Sequence, residues 1–276
     1  MNDDEITYWL ELCNNISEKV EEAIDIARED PSLTTITKIG ADGTPTHKID
    51  EYAENAAIQV LEDTGMSLIL ISEEIGTIKI GEENSEAVII MDPLDGTTNA
   101  LKNLPCYGIS LAIGKLNGDD DLENISLNDI EVAYVKNFPT NDVYTAVKNK
   151  YATKNNKLIQ VSDVKEAKHA TVSTYIYRTK RDLNKIFTNV RRMRIMGAIA
   201  VEMCYLAEGV YDVFLDTHAV RVLDIAASQL IIKEAGGYIT DIESNELLSH
   251  VDLLAKTTIV ATPNKELQED IIRLLN

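Results

Sequence analysis

The chain has 276 residues, with 26 lysines and arginines against 46 aspartates and glutamates, which gives a net charge of −20 at neutral pH. A surface this acidic repels nucleic acids and anionic membranes, so we expect neither as a standing partner. The composition, 45% hydrophobic, is typical of a globular protein, and the absence of any run of about 18 apolar residues argues against a transmembrane helix.

The cysteines and the N-terminal residues indicate in which cellular compartment the protein is expected. Cys13, Cys106 and Cys204 are odd in number and far apart, which favours buried thiols in a reducing environment over disulfides. The N-terminus is acidic at residues 3–5, where a signal peptide would be basic. We therefore expect a cytoplasmic protein.

In chain order, two helices separated by a loop are predicted first. Apolar residues recur at helical spacing over residues 6–28, with acidic residues on the opposite face. Residues 34–48 contain glycines, a proline and several threonines, and this composition predicts a loop. A second helix is predicted over residues 46–63.

Short apolar runs then predict buried strands. SLILIS (residues 67–72) and AVIIM (residues 87–91) are rich in β-branched residues and are bounded by polar turns. Three further strands are predicted in hairpin-like succession, over residues 108–116, 130–136 and 143–148. The acidic tract between the first two of these is expected to be a solvated excursion.

From about residue 155 the pattern changes to alternating strands and helices. The predicted strands are 170–175, 192–196, 211–215, 238–240 and 258–261, and the predicted helices are 181–187, 198–208, 223–235 and 264–274. We therefore predict an α/β protein that is one compact unit. An α+β half would cover residues 1–150, and an α/β half would cover residues 151–276.

The segment MDPLDGTTN concentrates chemistry at the end of a predicted strand. Asp92 and Asp95 stand three residues apart, and Pro93 lacks the N–H needed for strand pairing, so the strand is expected to stop there. Gly96 would let the backbone approach a ligand, and Thr97 falls at a predicted helix start, where free N–H groups favour a phosphate. We interpret the segment as a site for metal and phosphate. The alternative is a capped turn, which leaves the second carboxylate unexplained.

Two further acids are expected at the same place. If SLILIS lies parallel to AVIIM, Glu73 and Asp92 emerge at one edge of the sheet, and carboxylates gathered there repel unless divalent cations neutralise them. Hard oxygen ligands completed by a substrate phosphate suit Mg²⁺. Asp224, at a predicted helix start, would complete a two-metal cluster. Taken alone, Glu73-Glu74 also fits a solvated turn, and Asp224 fits a simple N-cap.

An arginine-rich strand is the candidate for substrate binding. Arg192 and Arg194 share one face of the predicted strand, and Arg191 takes the other. Arginine suits bidentate phosphate binding, so Arg192 and Arg194 are predicted to contact the substrate together with Gly197. The alternative is a basic strand that balances the acidic surface. Further candidates for sugar-phosphate contacts are Tyr175, Tyr177 and Arg178.

The elements EE, DPLDGTTN and LDIAAS, in this order from residue 73 to residue 228, resemble the inositol monophosphatase / fructose-1,6-bisphosphatase superfamily of Mg²⁺-dependent sugar and polyol phosphatases. The segments GADGTPTHKID and RRMRIMGAIAVEMC are most similar to its archaeal dual-activity branch, which cleaves both inositol monophosphates and fructose 1,6-bisphosphate. The resemblance implies a five-layered αβαβα sandwich, a small phosphorylated sugar or polyol as substrate, and a homodimer.

The resemblance also implies roles for single residues. One Mg²⁺ would be held by Glu73, Asp92 and the carbonyl of Leu94, a second by Asp92, Asp95 and Asp224, and a weaker third by Glu73 and water, with Mn²⁺ as a possible substitute. Asp50 and Thr97 would orient the attacking water, and Asp216 would bind a substrate hydroxyl. The sequence departs from the family at Leu223, where tryptophan is frequent, and by one extra residue after Asp216.

The loop before the second helix carries a separate hypothesis. Glycines at residues 40 and 43 give the backbone freedom next to Asp50, so the segment is expected to close when metal and substrate bind. The alternative is a plain connector between two helices.

These residues predict direct hydrolysis by a metal-activated water, without a covalent nucleophile. A haloacid-dehalogenase-type phosphatase is disfavoured because its acids are spaced D-x-D and not D-x-x-D, and a P-loop NTPase because GxxxxGK[ST] is absent. Two alternatives stay open. One is a phosphatase of the same superfamily that acts on 3′-phosphoadenosine 5′-phosphate, and the other is a metal-binding relative without catalysis.

Overall fold

The computed structural model describes residues 1–41, 43–175 and 179–276, so Tyr177 and Arg178 and the centre of the glycine loop at Asp42 lie outside the described residues. The helices are α1 (Asp3–Ala27), α2 (Lys48–Asp63), α3 (Thr97–Lys102), α4 (Asn184–Asn189), α5 (Ile199–Ala207), α6 (Val222–Glu234) and α7 (Lys265–Leu275). The strands are β1 (Ile36–Ile39), β2 (Pro45–His47), β3 (Leu68–Ser72), β4 (Gly76–Ile80), β5 (Ala87–Asp95), β6 (Gly108–Lys115), β7 (Ile130–Asn137), β8 (Asp142–Val147), β9 (Tyr151–Lys154), β10 (Lys157–Leu158), β11 (Thr171–Tyr175), β12 (Arg192–Arg194), β13 (Val213–Arg221), β14 (Tyr238–Thr240) and β15 (Lys256–Thr262).

The larger sheet has eight strands in the order β10-β9-β8-β7-β6-β5-β3-β4. Its strands β3 and β5 are parallel, with Ser72 opposite Met91, and this confirms the predicted arrangement of SLILIS and AVIIM. The next residues along the two strands are Glu73 and Asp92. Both therefore emerge at the same edge of the sheet, as the sequence predicted.

The smaller sheet has five strands in the order β12-β11-β13-β15-β14. Helices α5 and α6 fill the space between the two sheets, and α6 is buried on all sides from Val222 to Ile232. Helices α1 and α2 cover the outer face of the larger sheet, and α4 and α7 cover the outer face of the smaller one. The layers confirm the expected αβαβα sandwich.

Helix α1 shows how local signals set one outer layer. Asn2 accepts a hydrogen bond from the backbone N–H of Glu5, whose side chain accepts one from Asn2 in return, so the helix begins with a capping box. Its apolar stripe, including Ile16, Val20 and Ile24, is almost fully buried against the sheet. The helix that was predicted over residues 6–28 is thereby confirmed.

The structure corrects several predicted elements. The predicted loop over residues 34–48 contains the hairpin β1–β2, whose β-branched residues flank the glycine turn. Strand β5 does not stop at Pro93, because its pairing with β6 resumes at Asp95 after an irregularity. Strands β4, β9 and β10 were not predicted. They are short, with polar or mixed sequences, so they lack the apolar runs that mark buried strands.

Three further predictions concern the cysteines, membrane helices and the division of the chain into two halves. Cys13, Cys106 and Cys204 are free and buried, as expected. Within the part of the chain that the structure describes, no helix is long and apolar enough to cross a membrane. The division of the chain near residue 150 stays a prediction.

Candidate active site

Three carboxylates from separate elements meet at one point, and we call them the acidic cluster: Glu73, Asp92 and Asp224. Each contributes one oxygen, and these oxygens lie within 4.8 Å of one another. Glu73 follows β3, Asp92 lies in β5 and Asp224 stands in the first turn of α6. Hard oxygen donors at this spacing form a set that suits Mg²⁺ or a similar divalent cation. The residues of the cluster therefore fit the metal that the sequence led us to expect.

Burial and mutual repulsion make the ionised form of these carboxylates unfavourable. The pKa of Asp92 is raised well above its usual range, first by burial and then by the charges of Glu73, Asp95 and Asp224. Burial also raises the pKa of Asp95 to about 7, although hydrogen bonds from the backbone oppose the shift. The site therefore favours any proton or cation that neutralises these carboxylates.

Asp95 joins the end of β5 to helix α5. Its Oδ1 accepts a hydrogen bond from the N–H of Ile199 at 2.8 Å, and its Oδ2 accepts one from Val201 at 3.1 Å. Asp95 thus caps the helix that begins at Ile199. Each carboxylate oxygen still has a lone pair for a second partner, and the capping holds the group in one orientation.

Asp50 and Thr97 form a hydrogen-bonded pair beside the cluster. The Thr97 hydroxyl donates to Asp50 Oδ1 at 2.8 Å and lies 3.3 Å from the carbonyl oxygen of Leu94. The other carboxylate oxygen of Asp50 accepts from the N–H of His47 at 2.8 Å. Burial raises the pKa of Asp50 to about 6 against these hydrogen bonds. The structure therefore brings together the two residues that were expected to orient water.

Gly96 is required by its backbone and its surroundings. Its φ is +87°, and a Cβ atom there would lie 3.0 Å from the Ala198 Cβ, 3.2 Å from the Cys106 carbonyl oxygen and 3.3 Å from that of Gly197. The structure thus shows a close approach of Gly96 to the chain itself, and a ligand contact at this glycine stays a prediction. This close approach places Gly197 against the start of α3.

Arg192 and Arg194 lie on the edge strand β12. Both are exposed and Met193 between them is half-buried, which agrees with the expected alternation. Arg194 Nη1 donates to the Met193 carbonyl oxygen at 2.9 Å. After the strand, the Met196 carbonyl oxygen accepts a hydrogen bond from Asn99 at 2.7 Å, so the chain returns to α3. Substrate binding by either arginine stays a prediction.

Asp216 lies at an irregularity in β13. Pairing with β15 shifts between Asp216 and Val220, and Asp216 Oδ1 accepts from the N–H groups of His218 and Ala219 at 2.8 and 2.9 Å. Burial raises the pKa of Asp216 against these two backbone hydrogen bonds, and the charge of Asp224 adds a smaller effect in the same direction.

Glu74 and Tyr175 have structural roles that differ from those considered. Glu74 is buried and bonds to the Thr46 hydroxyl, and its carbonyl oxygen accepts from Ala41 at 3.2 Å, so it ties the β1–β2 hairpin to the sheet. The solvated turn is therefore wrong for Glu74. Tyr175 is buried and donates to Glu202 at 2.8 Å, which makes it a core residue. Closure of the glycine loop stays a prediction.

Sequence reasoning missed two residues of the site. Arg221 Nη1 donates to Glu73 at 2.5 Å, and Arg221 Nη2 donates to Asp224 at 2.7 Å. Its signal is an arginine three residues before Asp224. Glu202 is fully buried and accepts from Ser173, Tyr175 and the N–H of Gly197 at 2.6, 2.8 and 2.9 Å. Its signal is a single acid within the apolar sequence of α5.

The chain is similar to a known protein family and to named proteins over most of its length. The model of the inositol monophosphatase family matches residues 4–276. The fructose-1,6-bisphosphatase/inositol-1-monophosphatase of Methanothermobacter thermautotrophicus is 41% identical over 279 residues, covering 100% of this chain and 99% of the relative. The bifunctional NADP phosphatase/NAD kinase of Methanococcus maripaludis is 37% identical over 95% of this chain, which spans 48% of that protein.

A solved structure agrees with the sequence comparisons. The MJ0109 gene product, named inositol monophosphatase–fructose 1,6-bisphosphatase, superposes with a TM-score of 0.80 at 30% identity, covering 97% of this chain and 99% of that one. Its likeness supports the five-layered arrangement described above. The chain is therefore a phosphatase that belongs to the inositol monophosphatase family, where it falls with the archaeal branch named for both fructose-1,6-bisphosphatase and inositol-1-monophosphatase.

Proposed function

We propose that the protein is a Mg²⁺-dependent phosphomonoesterase that hydrolyses inositol monophosphate and fructose 1,6-bisphosphate by direct attack of water. The observation that carries the proposal is the acidic cluster, whose oxygens lie within 4.8 Å of one another. The 41% identical relative named for both activities supports the choice of substrates.

The family resemblance implies which residues would hold the metal ions, and the acidic cluster supports that assignment. Glu73, Asp92 and the carbonyl of Leu94 would hold one ion, and Asp92, Asp95 and Asp224 would hold a second. When bound, Mg²⁺ would lower the pKa of a coordinated water and stabilise the negative charge on the phosphate oxygens. The hydrogen bond from the N–H of Leu94 to Asp92 Oδ1, at 3.0 Å, keeps that carboxylate in one orientation.

The chain itself provides a route for the proton of the attacking water. The Thr97 hydroxyl donates a hydrogen bond to Asp50. The lone pairs of the Thr97 oxygen are therefore available to accept a hydrogen bond from water. A buried carboxylate with its pKa raised to about 6 is poised to take a proton near neutral pH. We therefore assign Asp50 and Thr97 the orientation and deprotonation of water.

The remaining assignments concern the substrate. Arg192 and Arg194 are exposed on an edge strand, where they are accessible to a second phosphate such as that of a bisphosphate. Asp95, Gly96 and Gly197 would line the phosphate side of the site, and Asp216 would accept a hydrogen bond from a sugar hydroxyl. We extend the proposal to a homodimer in the cytoplasm, where the buried thiols stay reduced.

A nucleotide is the second candidate substrate. The relative from Methanococcus maripaludis is named NADP phosphatase as well as NAD kinase, and this chain is 37% identical to part of it. Removal of the 2′-phosphate of NADP would use the same water and the same acids. The two candidates differ only in the group that carries the phosphate.

A substrate panel tests the proposal. Phosphate release is measured from inositol 1-phosphate, fructose 1,6-bisphosphate, NADP and 3′-phosphoadenosine 5′-phosphate, with Mg²⁺ and with EDTA. We expect Mg²⁺-dependent release that is fastest with the first two, and its loss in Asp92→Asn. Preference for a nucleotide would overturn the substrate assignment, and equal release in EDTA would overturn the proposed mechanism. Absence of release from every substrate would favour a non-catalytic metal-binding protein.

A further inference from the structure

The Arg221 side chain lies between two members of the acidic cluster. Its Nε and Nη2 donate to the two oxygens of Asp224 at 3.0 and 2.7 Å, and its Nη1 donates to Glu73 at 2.5 Å. One arginine therefore bridges two of the three carboxylates of the cluster.

These contacts engage carboxylates that a metal ion would need. Three acids gathered in a partly buried place require a counter-charge whether or not a metal is bound. A guanidinium and a divalent cation both satisfy that requirement, and they repel each other when they share the same carboxylates. Full contact with Arg221 and full coordination of a metal are thus competing arrangements of Glu73 and Asp224.

Arg221 has a path by which it can leave. It stands at the junction of β13 and α6, where its backbone is extended with φ −67° and ψ 141°. Its side chain is 20% exposed, whereas that of Asp224 is 7% exposed. Rotation about the long side-chain torsions would move the guanidinium toward solvent and leave Asp224 in place on the helix.

We propose that Arg221 is a resident counter-cation of the acidic cluster, which holds Glu73 and Asp224 together before metal binding and is displaced from them when Mg²⁺ binds. Arg221 thereby sets the affinity of the site for the metal. The inference rests on the proposed function, because it takes the acidic cluster as the Mg²⁺ site. Arg221 is a positioning residue in this scheme, since it acts through the ligands.

The proposal predicts opposite effects on two quantities. Loss of the guanidinium leaves the acids to repel one another, so the metal-free protein loses stability. The same loss removes the competitor, so Mg²⁺ binds more tightly. An arginine that only orients Asp224 for the metal would behave differently, because its removal would weaken both stability and metal binding.

The experiment is calorimetric titration of Mg²⁺ into EDTA-stripped protein, together with thermal unfolding in EDTA and in Mg²⁺. For Arg221→Gln we expect a dissociation constant lower by about tenfold or more, a lower melting temperature in EDTA and a larger rise on adding Mg²⁺. Arg221→Lys keeps the charge but loses the two-pronged contact with Asp224, so its values should fall between those of Arg221→Gln and wild type. It also carries the test if Arg221→Gln does not stay folded in EDTA.

Arg273→Gln is the matched control. It removes the same charge, but Arg273 pairs with Asp270 on the exposed side of α7. Its Mg²⁺ affinity should equal that of wild type. If wild type binds Mg²⁺ and both Arg221 variants bind it equally well or more weakly, the counter-cation role is overturned while the proposed function stands. If wild type binds no Mg²⁺, the proposed function and this inference fall together.

Discussion

At the scale of single residues, the site depends on backbone hydrogen bonds that orient each acid. Asp50 accepts from His47, Asp92 from Leu94, and Asp95 from the start of α5. Each of these three carboxylates is thus held by backbone N–H groups before any ligand is present. Preorganisation of this kind reduces the reorganisation that binding and catalysis would otherwise require.

The Thr97 hydroxyl gives the first test at this scale. Thr97→Val keeps the shape of the side chain but removes the donor to Asp50, so we expect kcat for phosphate release to fall by about a hundredfold. Mg²⁺ affinity should stay near the wild-type value, because the ligand carboxylates are unchanged. Thr98→Val is the control, since Thr98 is exposed on the same helix turn. Equal losses in the two variants would contradict the role of Thr97.

The sequence predicted the acids of the site better than their cationic partner. Glu73, Asp92 and Asp224 each follow an apolar strand or begin a helix, so their positions could be inferred from local patterns. Arg221 could not be assigned in this way. Its ion pair with Glu73 joins residues 148 positions apart, and an arginine at a helix start has many other possible partners.

At the scale of elements, the junction of β5 and α3 determines where Asp95 and Thr97 lie. The strand continues past Pro93 through an irregularity, and Gly96 then turns the chain into α3 with a positive φ. Irregularities of this kind are common next to active sites because they redirect side chains. The sequence marked this junction by its proline and glycine, but it did not show that pairing resumes at Asp95.

Gly96→Ala tests how tightly this junction is packed. A left-handed backbone costs a non-glycine residue about 1–2 kcal/mol, and the contacts of the new Cβ with Ala198 and two carbonyl oxygens should add a further penalty. Gly65→Ala is the matched control, because its φ is +68° and its Cβ would meet nothing within 4 Å.

Urea unfolding of both variants provides the comparison. We expect Gly96→Ala to lose more stability than Gly65→Ala by about 1 kcal/mol or more, and to lose phosphatase activity as well. If the two variants were equally stable, the close packing around Gly96 would be contradicted.

The β1–β2 hairpin and strands β4, β9 and β10 of the larger sheet were the elements that the sequence did not predict. Strand β1 is exposed along its whole length, so its residues show no alternation of buried and exposed positions. Strands β9 and β10 are likewise short and polar at the edge of the larger sheet. Such strands form because a neighbouring strand offers free backbone groups, and local sequence carries little signal of that neighbour.

At the scale of the whole molecule, the layer order explains why distant segments supply one site. The parallel pair β3 and β5 delivers Glu73 and Asp92, and helix α6, packed between the sheets, adds Asp224. The apolar runs of these elements made the fold class predictable. The family resemblance, and not periodicity, implied the five layers.

The buried acids predict how stability depends on pH. Asp50 and Asp95 have pKa values near 6 and 7 in the folded chain against an ordinary value of 3.8, so between about pH 4 and pH 7 the folded chain binds more protons than the unfolded chain. The stability of the metal-free protein should therefore decrease as pH rises through this window. Urea unfolding in EDTA at several pH values measures the slope.

Two controls, high salt and the Asp92→Asn variant, distinguish the effect of the buried acids from charge repulsion across the acidic surface. About 0.5 M KCl screens exposed charges and leaves buried ones largely unscreened, so the slope should persist at high salt. Asp92→Asn removes one buried charge, and its slope should be smaller. Stability that rises with pH in EDTA would contradict the raised pKa values.

The central claim, that Glu73, Asp92 and Asp224 supply ligands to the catalytic metal ions, is tested most directly by a crystal structure of the Mn²⁺-soaked protein with anomalous data. Mn²⁺ stands in for Mg²⁺ and is visible by its anomalous signal. We expect one peak about 2.2 Å from oxygens of Glu73 and Asp92 and a second at a similar distance from oxygens of Asp92 and Asp224, with the Arg221 guanidinium moved away from Glu73. A map without a peak among these oxygens, and with Arg221 still bridging Glu73 and Asp224, would contradict the account.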